Sequence, residues 1–592
     1  MNESIDIAGL RIETERVDDI PLLVGQMRRM ELPEVLDSRM VVHGNRQGLS
    51  IGWTVVVWLA HVLSEADHRL SQVRPWAARR LETLRACTGQ EMREEDLSDD
   101  RLADVLRALA DDETWANVEH GLVLSLLRVY DLRPPGTRAV GAPPPYVRVD
   151  MTTARGYGQV DADGLFQVGH SKDHRPDLPQ VKIALTTLDP LGLPVASEVV
   201  AGHHADDPLY RPLIKRVHDS LSVRGLLVVG DCKLAALDTR ADIHAYHSFY
   251  LCPLSAVQVP PAALARARAT AQSAAGGSPE RIERTRPDGT REHLADGDEW
   301  TEDLSAVLDG WRTVTWTERR LLLRSRVQAA AAETALRARL ERARVAIADL
   351  TTPRRGKRCP ADPAAVRQAA TVIMARERVE GLLHVEVAEQ VRERRVRGYR
   401  GPPARTVAQR TLTTTAPVDA AALDAAIALL GWRVYATNAP ASILSLTQAA
   451  LAYRGQYTVE RAFGRLKGHP LSLTPLYLDR DDHTTGLIRL LTLALRVLTT
   501  AEHAVRQGLA AQERTLTGLY AGNPTRATAR PTTELLLAAF RNLTLTLLTP
   551  PTATHRSLTS LTPLQADILA LLGLPADTYH ALVSPSHFPL PP

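Results

Sequence analysis

The run Leu226-Leu-Val-Val-Gly-Asp231 constrains this chain more than any other, because it is an apolar stretch that stops on a carboxylate. Such a run predicts a strand buried on both faces, in a sheet covered by helices, with a charged group delivered at its end. The flanking segments have the patterns to build that sheet. Short β-type runs at Tyr146 to Met151, Leu165 to Val168, Val181 to Leu188 and Val195 to Val200, separated by Gly and Asp turns, predict a three-stranded meander. An amphipathic helix at Leu209 to Leu221 leads into the Asp231 run, a helix at Leu234 to Ala245 leaves it, and a last short strand lies near Phe249 to Leu251.

The rest of the chain is too long for one core. At 592 residues, 44% hydrophobic and 23% charged, roughly two to four domains are expected. Residues 1–140 read as a helical N-terminal domain, with apolar periodicity at Trp53 to Leu63, Trp76 to Leu84, Leu102 to Leu109 and Val118 to Val129. Asp131-Leu-Arg-Pro-Pro-Gly136 and Pro143-Pro-Pro145 close it. Residues 141–255 carry the sheet just described. Residues 256–430 read as an insertion: Ala262 to Gly277 and Pro279 to Asp298 lack the pattern of ordered elements, and a long helix is expected from Trp316 to Leu350, then basic helical segments. In residues 431–510, Gly431-Trp-Arg-Val-Tyr-Ala-Thr-Asn438 restores a strand after a helix at Ala420 to Leu430. Pro440 to Lys467 is helical with an interruption at Gly455, and a Leu- and Thr-rich helix runs from Leu487 to about Leu509. Residues 511–592 read as a helical and Pro-rich C-terminal region.

The longest apolar stretch, Ile51 to Leu63, contains Thr54 and His61 and falls short of the roughly 20 residues a bilayer requires, so no membrane partner is expected. The first thirty residues lack the basic-then-apolar order of a secretory signal, and a cytoplasmic location is the expectation. Cys87, Cys232, Cys252 and Cys359 are too few and too scattered for a disulfide framework or a zinc site. A net charge of +3 announces no nucleic-acid binder, so the distribution of charge has to carry that argument. Residues 1–140 hold 17 Arg against 24 Asp and Glu, a balance of −7, whereas residues 353–406 hold 13 basic against 6 acidic residues, a balance of +7. Arg354, Arg355, Arg394 and Arg395 in that basic segment are candidates for phosphate contact; the alternative is a solvated helix face.

Asp150 ends the strand run Tyr-Val-Arg-Val-Asp, and Asp231 ends another. Two carboxylates at strand ends can meet at one edge of a sheet, and oxygen ligands suit Mg²⁺. Displacement at a phosphodiester uses two hard cations about 4 Å apart, one for the attacking and one for the leaving oxygen. A third carboxylate comes from Tyr453-Arg-Gly-Gln-Tyr-Thr-Val-Glu-Arg-Ala-Phe-Gly-Arg-Leu-Lys467, which sets Tyr453, Glu460 and Lys467 seven residues apart. At about 100° per residue, residues seven apart share one helix face. Only six of the 71 basic residues are Lys, and Lys172, Lys233 and Lys467 all lie beside this chemistry in sequence.

The Tyr453 to Lys467 run resembles the Tyr, Arg, Glu, Lys helix signature of the insertion-sequence transposases of the Asp-Asp-Glu class. Gly169-His-Ser-Lys-Asp-His-Arg-Pro-Asp177 and Gly431 to Asn438 look like further words of one branch of that group, in the same order. The resemblance covers roughly residues 145–475. It implies an α/β fold in which a ribonuclease H-like catalytic core is split by a large insertion and preceded by a helical N-terminal domain; strands, helix, strand, helix, strand is the order of such a core. It also implies that Asp150, Asp231 and Glu460 are catalytic and hold two Mg²⁺ ions, with Mn²⁺ able to substitute, and that Tyr453, Arg454, Gln456 and Lys467 address DNA. The implied partners are double-stranded DNA with terminal inverted repeats, target DNA, and a second subunit in a homodimer on the DNA. The sequence departs from the signature at Gln456, where the group has Arg: an amide donates a hydrogen bond but forms no ion pair with phosphate, and Arg454 is the nearest substitute. Two other readings are a transposase-derived DNA-binding protein that no longer cuts, and a phosphohydrolase with Asp150 as nucleophile. The latter usually has a second Asp two residues on, where this chain has Thr152.

Overall fold

The computed structural model describes residues 5–7, 10–40, 47–132, 145–274, 279–286, 289–354, 359–360, 362–396, 405–549 and 555–583. Strands β1 (Ile5–Ile7) and β2 (Leu10–Arg16) open the chain, and helices from Ile20–Arg29 to Asp112–Val129 follow. The central elements are β3 (Tyr146–Arg155), β4 (Gln180–Leu188), β5 (Leu193–Ala201), β6 (Leu227–Val229) and β7 (Phe249–Pro253). Next come β8 (Glu280–Thr285), β9 (Arg291–Leu308), β10 (Arg312–Ser325), β11 (Glu386–Val396), β12 (Arg405–Thr415) and β13 (Trp432–Thr437); β14 (Thr544–Thr549) and β15 (His555–Leu558) are the last strands.

Nine of these strands form one mixed sheet in the order β5-β4-β3-β6-β7-β13-β10-β9-β8. β3, β4 and β5 are an antiparallel meander, and β6 and β7 continue parallel to β3. The strand expected at Leu165 to Val168 is a single bridge from Gln167 to Gln180. β6 is buried throughout because side chains alternate across a strand and both faces here are covered. Val228 enters the main core with Val147 and Val149, while Leu227 and Val229 pack with Leu251, Leu321 and Ala449 on the other side. Helix Tyr210–Leu221 covers the first face with Leu213, Ile214 and Val217.

One main core joins residues from Val17 to Cys252 with residues from Ala436 to Leu582, and the segment between them packs in separate smaller cores. β14 pairs with β2, so the two ends of the chain share one small sheet that the sequence patterns do not reveal. Helix Asp481–Ala511 is long and apolar enough to cross a membrane, yet it is a core helix. Its Arg496 is buried and pairs with buried Glu119 at 2.7 Å.

The insertion differs from its sequence-based expectation. The helix expected from Trp316 to Leu350 begins only at Arg326, capped by the Ser325 hydroxyl. Residues before it alternate buried Val314, Trp316 and Glu318 with exposed Thr313, Thr315 and Thr317, the two-residue period of a strand, and pair with β9 and β13. Pro279 to Asp298, expected to lack order, contributes β8 and the start of β9. Helices Arg326–Asp349, Pro363–Glu377 and Ala420–Leu429 build a separate small core around Leu336, Leu340, Ile347 and Leu383. Of the basic segment, expected to be helical, Pro363–Glu377 is a helix, whereas the residues after it supply β11 and the start of β12, which pair only with each other.

Candidate active site

Register brings the first two carboxylates together. β3 and β6 are parallel with Arg148 opposite Val229; two residues further on, Asp231 follows the end of β6 beside Asp150, which does not end its strand as expected but lies within β3, because pairing with β4 carries that strand on to Arg155. Asp231 accepts hydrogen bonds from the Tyr210 hydroxyl at 2.7 Å and from the Lys233 backbone N–H at 2.9 Å. Burial, with the charges of Asp231, Asp150 and Asp206 adding to it, drives the Tyr210 hydroxyl well above its ordinary pKa, so it stays a donor.

Glu460 lies in the first turn of helix Tyr457–Lys467. Val459, Ala462, Phe463 and Leu466 bury one side of this helix, and Arg461 and Arg465 fasten it to Glu502 of helix Asp481–Ala511 at 2.5–2.7 Å. Glu460 stays exposed. Its charge nevertheless acts on Asp150: burial raises the Asp150 carboxyl from 3.8 to about 6, Asp231 and Glu460 push the same way, and Lys172 and the Met151 N–H oppose them.

The Gly169 to Asp177 loop braces this edge. The Lys172 backbone N–H donates to the Thr153 hydroxyl at 3.0 Å, and its ammonium donates to the Met151 carbonyl and lies 4.0 Å from Asp150 and 3.5 Å from Asp206. Burial works against Asp206, but hydrogen bonds and charge from Lys182 and Lys172 hold its carboxyl below the usual range. Lys467 donates to Asp173 at 2.6 Å and to the Thr153 carbonyl at 3.3 Å. The helix thus runs beside β3 with Glu460 near Asp150 and Lys467 near Thr153.

Tyr453 and Glu460 are not on one continuous helix. Helix Leu446–Arg454 ends at Gly455 and the next begins after Gln456, the interruption expected there. Tyr453 packs edge-on against Tyr435 with ring centroids 4.7 Å apart. Together with Arg433, Arg454, Gln456 and Glu460 they line a cleft of about 450 Å³. Both amide atoms of Gln456 are buried without a hydrogen-bond partner among the described residues. Arg354 is exposed and pairs with Asp349 at 2.8 Å; Arg355 and the side chain of Arg394 lie outside the described residues, and Arg395 is exposed on β11. Among the described residues no hydrogen bond or ion pair joins these insertion arginines to the three carboxylates.

Sequence reasoning missed Tyr210, Asp206, Asp173 and Arg433 as members of the site. Only Asp173 carried a signal, its place in the His-Ser-Lys-Asp word. Among the described residues no three His, Cys, Asp or Glu side chains are close enough together to cage a metal ion. Asp150, Asp231 and Glu460 nevertheless offer oxygen donors only, the set that hard divalent cations take.

The family model of the transposase DDE domain matches residues 144–497, a span that contains all three carboxylates. No curated protein sequence matches. Among solved structures, the cryo-EM structure of a piggyBac transposase synaptic complex with hairpin DNA superposes with a TM-score of 0.32 and 9% identity, over 87% of this chain and 78% of that one.

Proposed function

The chain belongs to the transposase DDE domain family and is a DNA transposase; from that premise we propose that Asp150, Asp231 and Glu460 form its active centre, cutting the ends of its own element and joining the freed 3′-hydroxyls to target DNA. The strand order β5-β4-β3-β6-β7, with β6 and β7 parallel to β3, supports a ribonuclease H-like core interrupted between β7 and the Glu460 helix. One observation carries the assignment: Asp150 within β3 and Asp231 just past the parallel β6 lie side by side, and the helix with Glu460 in its first turn is tied to β3 through Lys467 and the Thr153 carbonyl.

The family is divalent-metal dependent, and the three carboxylates would hold two Mg²⁺ ions, with Mn²⁺ as a substitute. When bound, such ions activate the attacking oxygen and stabilise the leaving one. The protein's own groups hold this donor set in place. Tyr210 and the Lys233 N–H fix Asp231 by donating to it, Lys172 sits between Asp150 and Asp206, and the Glu502 anchor sets the helix that carries Glu460. Arg433, Arg454 and Tyr453 border the cleft beside Glu460 and suit the phosphate and base flanking the cut; Gln456 offers a hydrogen bond there in place of an ion pair. Double-stranded DNA bearing terminal inverted repeats is the proposed substrate, with a homodimer pairing the two ends.

The test is strand cleavage with Mg²⁺ on a duplex carrying the DNA that flanks the coding sequence, comparing the parent chain with Asp231→Ala. Cleavage by the parent and none by the variant is expected; equal product from both overturns the assignment. DNA binding without cleavage by the parent would favour the reading that Gln456 suggests, a transposase descendant that binds but does not cut.

A further inference from the structure

Helix Tyr457–Lys467 carries Glu460 on one side and borders a basic cleft on another. Its Arg461 and Arg465 face helix Asp481–Ala511 across a space of about 140 Å³, which Arg506 of that second helix, Arg530 and the β4–β5 turn at Gly192 also line. A Cβ on Gly192 would lie 2.5 Å from Cγ2 of Thr458, so the turn is pressed against the helix and forms a close wall. Exposed Tyr457 lines both this cleft and the one beside Glu460, which makes the two clefts neighbours.

The charges in this cleft do not balance. Buried Glu502 pairs with Arg461, Arg465 and Arg506 at 2.5–2.8 Å, and Arg465 also pairs with Glu534 at 2.8 Å. Arg530 is exposed; its backbone carbonyl accepts a hydrogen bond from Arg506 at 3.4 Å, but its guanidinium meets no carboxylate among the described residues. Four guanidiniums thus share two carboxylates, an excess of two positive charges. Burial lowers the Arg506 guanidinium from its ordinary value; Glu502 opposes this, and Arg461, Arg530 and Arg465 all repel it. Like charges partly removed from water cost free energy until an anion joins them. In the same wall, His503 has a buried Nε2 without a hydrogen-bond partner among the described residues.

We infer that this cleft binds a backbone phosphate of the DNA, away from the cut itself. A phosphate supplies what the cleft lacks, an anion whose oxygens accept from several guanidinium N–H groups at once. Adjacent residues leave a helix about 100° apart, so Glu460 and Arg461 serve different sides of the same helix. That helix is roughly 10–12 Å across, a span of about three nucleotides at roughly 3.4 Å each, so one strand passing Tyr457 reaches both clefts. Contact with phosphate alone reads no base; the cleft adds affinity and register without sequence preference. The inference rests on the transposase reading for the identity of its ligand.

The affinity of the full chain for a duplex carrying the DNA that flanks the coding sequence is measured across salt concentrations for the parent, Arg530→Gln and Arg526→Gln. Arg526 is an exposed arginine of the same segment that does not line the cleft, and matching thermal midpoints establish that both variants fold. Arg530→Gln is expected to flatten the slope of log affinity against log salt by about 0.9, the change for one lost phosphate contact, so that its deficit is about eightfold larger at 0.1 M than at 1 M salt. Arg526→Gln should keep the parent's slope. Phosphate ethylation locates the contact: one phosphate whose modification weakens the parent should no longer matter in Arg530→Gln. An unchanged slope, the same flattening in Arg526→Gln, an unaltered ethylation pattern, a loss confined to one DNA sequence, or tighter binding to duplex RNA than to DNA overturns the inference. Inorganic phosphate supplies the remaining arm. If it raises the melting temperature of the parent but not of Arg530→Gln while DNA affinity is equal in both, the cleft holds a free anion and the inference fails. Each of these outcomes leaves the transposase reading intact; a parent that binds no duplex overturns both.

Discussion

The ammonium of Lys467 lies 2.6 Å from Asp173, tying the end of the Glu460 helix to the loop whose Lys172 reaches toward Asp150. Asp173 is almost fully buried and its second carboxylate oxygen has no partner among the described residues. Removing Lys467 therefore strands a charge. Lys467→Met should lower stability by about 1–3 kcal/mol, below the range for fully buried pairs because Lys467 is partly exposed. Adding Asp173→Asn should restore part of it. Thermal midpoints of the four proteins in this cycle give the coupling; strictly additive losses would show that the pair is not coupled.

Tyr210 holds Asp231 from the buried side of the sheet edge. Tyr210→Phe keeps the ring and deletes only the donor, leaving Asp231 with the Lys233 N–H. Groups that orient a metal ligand typically change metal affinity by about 10-fold to 100-fold when lost. The Mg²⁺ concentration for half-maximal cleavage should rise by about tenfold, with maximal cleavage less affected. An unchanged Mg²⁺ dependence with uniformly lower activity would reduce Tyr210 to a packing role.

The site was largely legible because its signals are local. Asp231 follows an apolar run whose burial is set by its own residues, and Glu460 and Lys467 share a helix face through spacing alone. The Gly455 break was equally plain. What escaped depends on partners far away in sequence. Trp316 to Leu323 contains helix-compatible apolar spacing, but Leu321 and Leu322 sit opposite Tyr435 and Val434 of β13, a pairing across more than a hundred residues that no window reveals. Tyr210 looked like one residue of an amphipathic helix, and nothing near it indicated that its hydroxyl ends on Asp231.

Gly455 and Gly464 flank Glu460 and should respond oppositely to alanine. A Cβ at Gly455 would lie 2.2 Å from Nη2 of Arg148. That guanidinium is buried and held by Asp189 at 2.6–3.0 Å and by the Ala452 carbonyl at 2.8 Å, so it has nowhere to go. Gly455→Ala should destabilise by about 1–3 kcal/mol, the usual range for overpacking, and lower cleavage by shifting the start of the Glu460 helix. At Gly464 a Cβ meets nothing within 4 Å, and Gly464→Ala should stabilise by about 0.5–1 kcal/mol through helix propensity. Midpoints that move in the same direction would contradict this account.

Asp19 predicts a pH dependence of stability that is independent of catalysis. Its carboxylate caps no backbone N–H of the helix it precedes and accepts one hydrogen bond, from Ser64 at 2.6 Å. Burial, with the charges of Asp18 and Glu65 adding to it, raises its pKa from 3.8 to about 6. Between those values the folded protein keeps a proton that the unfolded chain has released, so this group's contribution to stability falls as pH rises through the window. Above about pH 6 the penalty is complete, and a shift of roughly two units corresponds to about 3 kcal/mol. His61 acts in the opposite sense, because burial lowers its imidazole from 6.5 to about 4 and stability is lost as pH falls through that range. The parent's pH profile alone mixes the two slopes. Asp19→Asn isolates one: it should melt near the parent's temperature at pH 4 and above it at pH 8, with the gap opening between. A gap that stays constant with pH would mean that Asp19 titrates alike in the folded and unfolded chains.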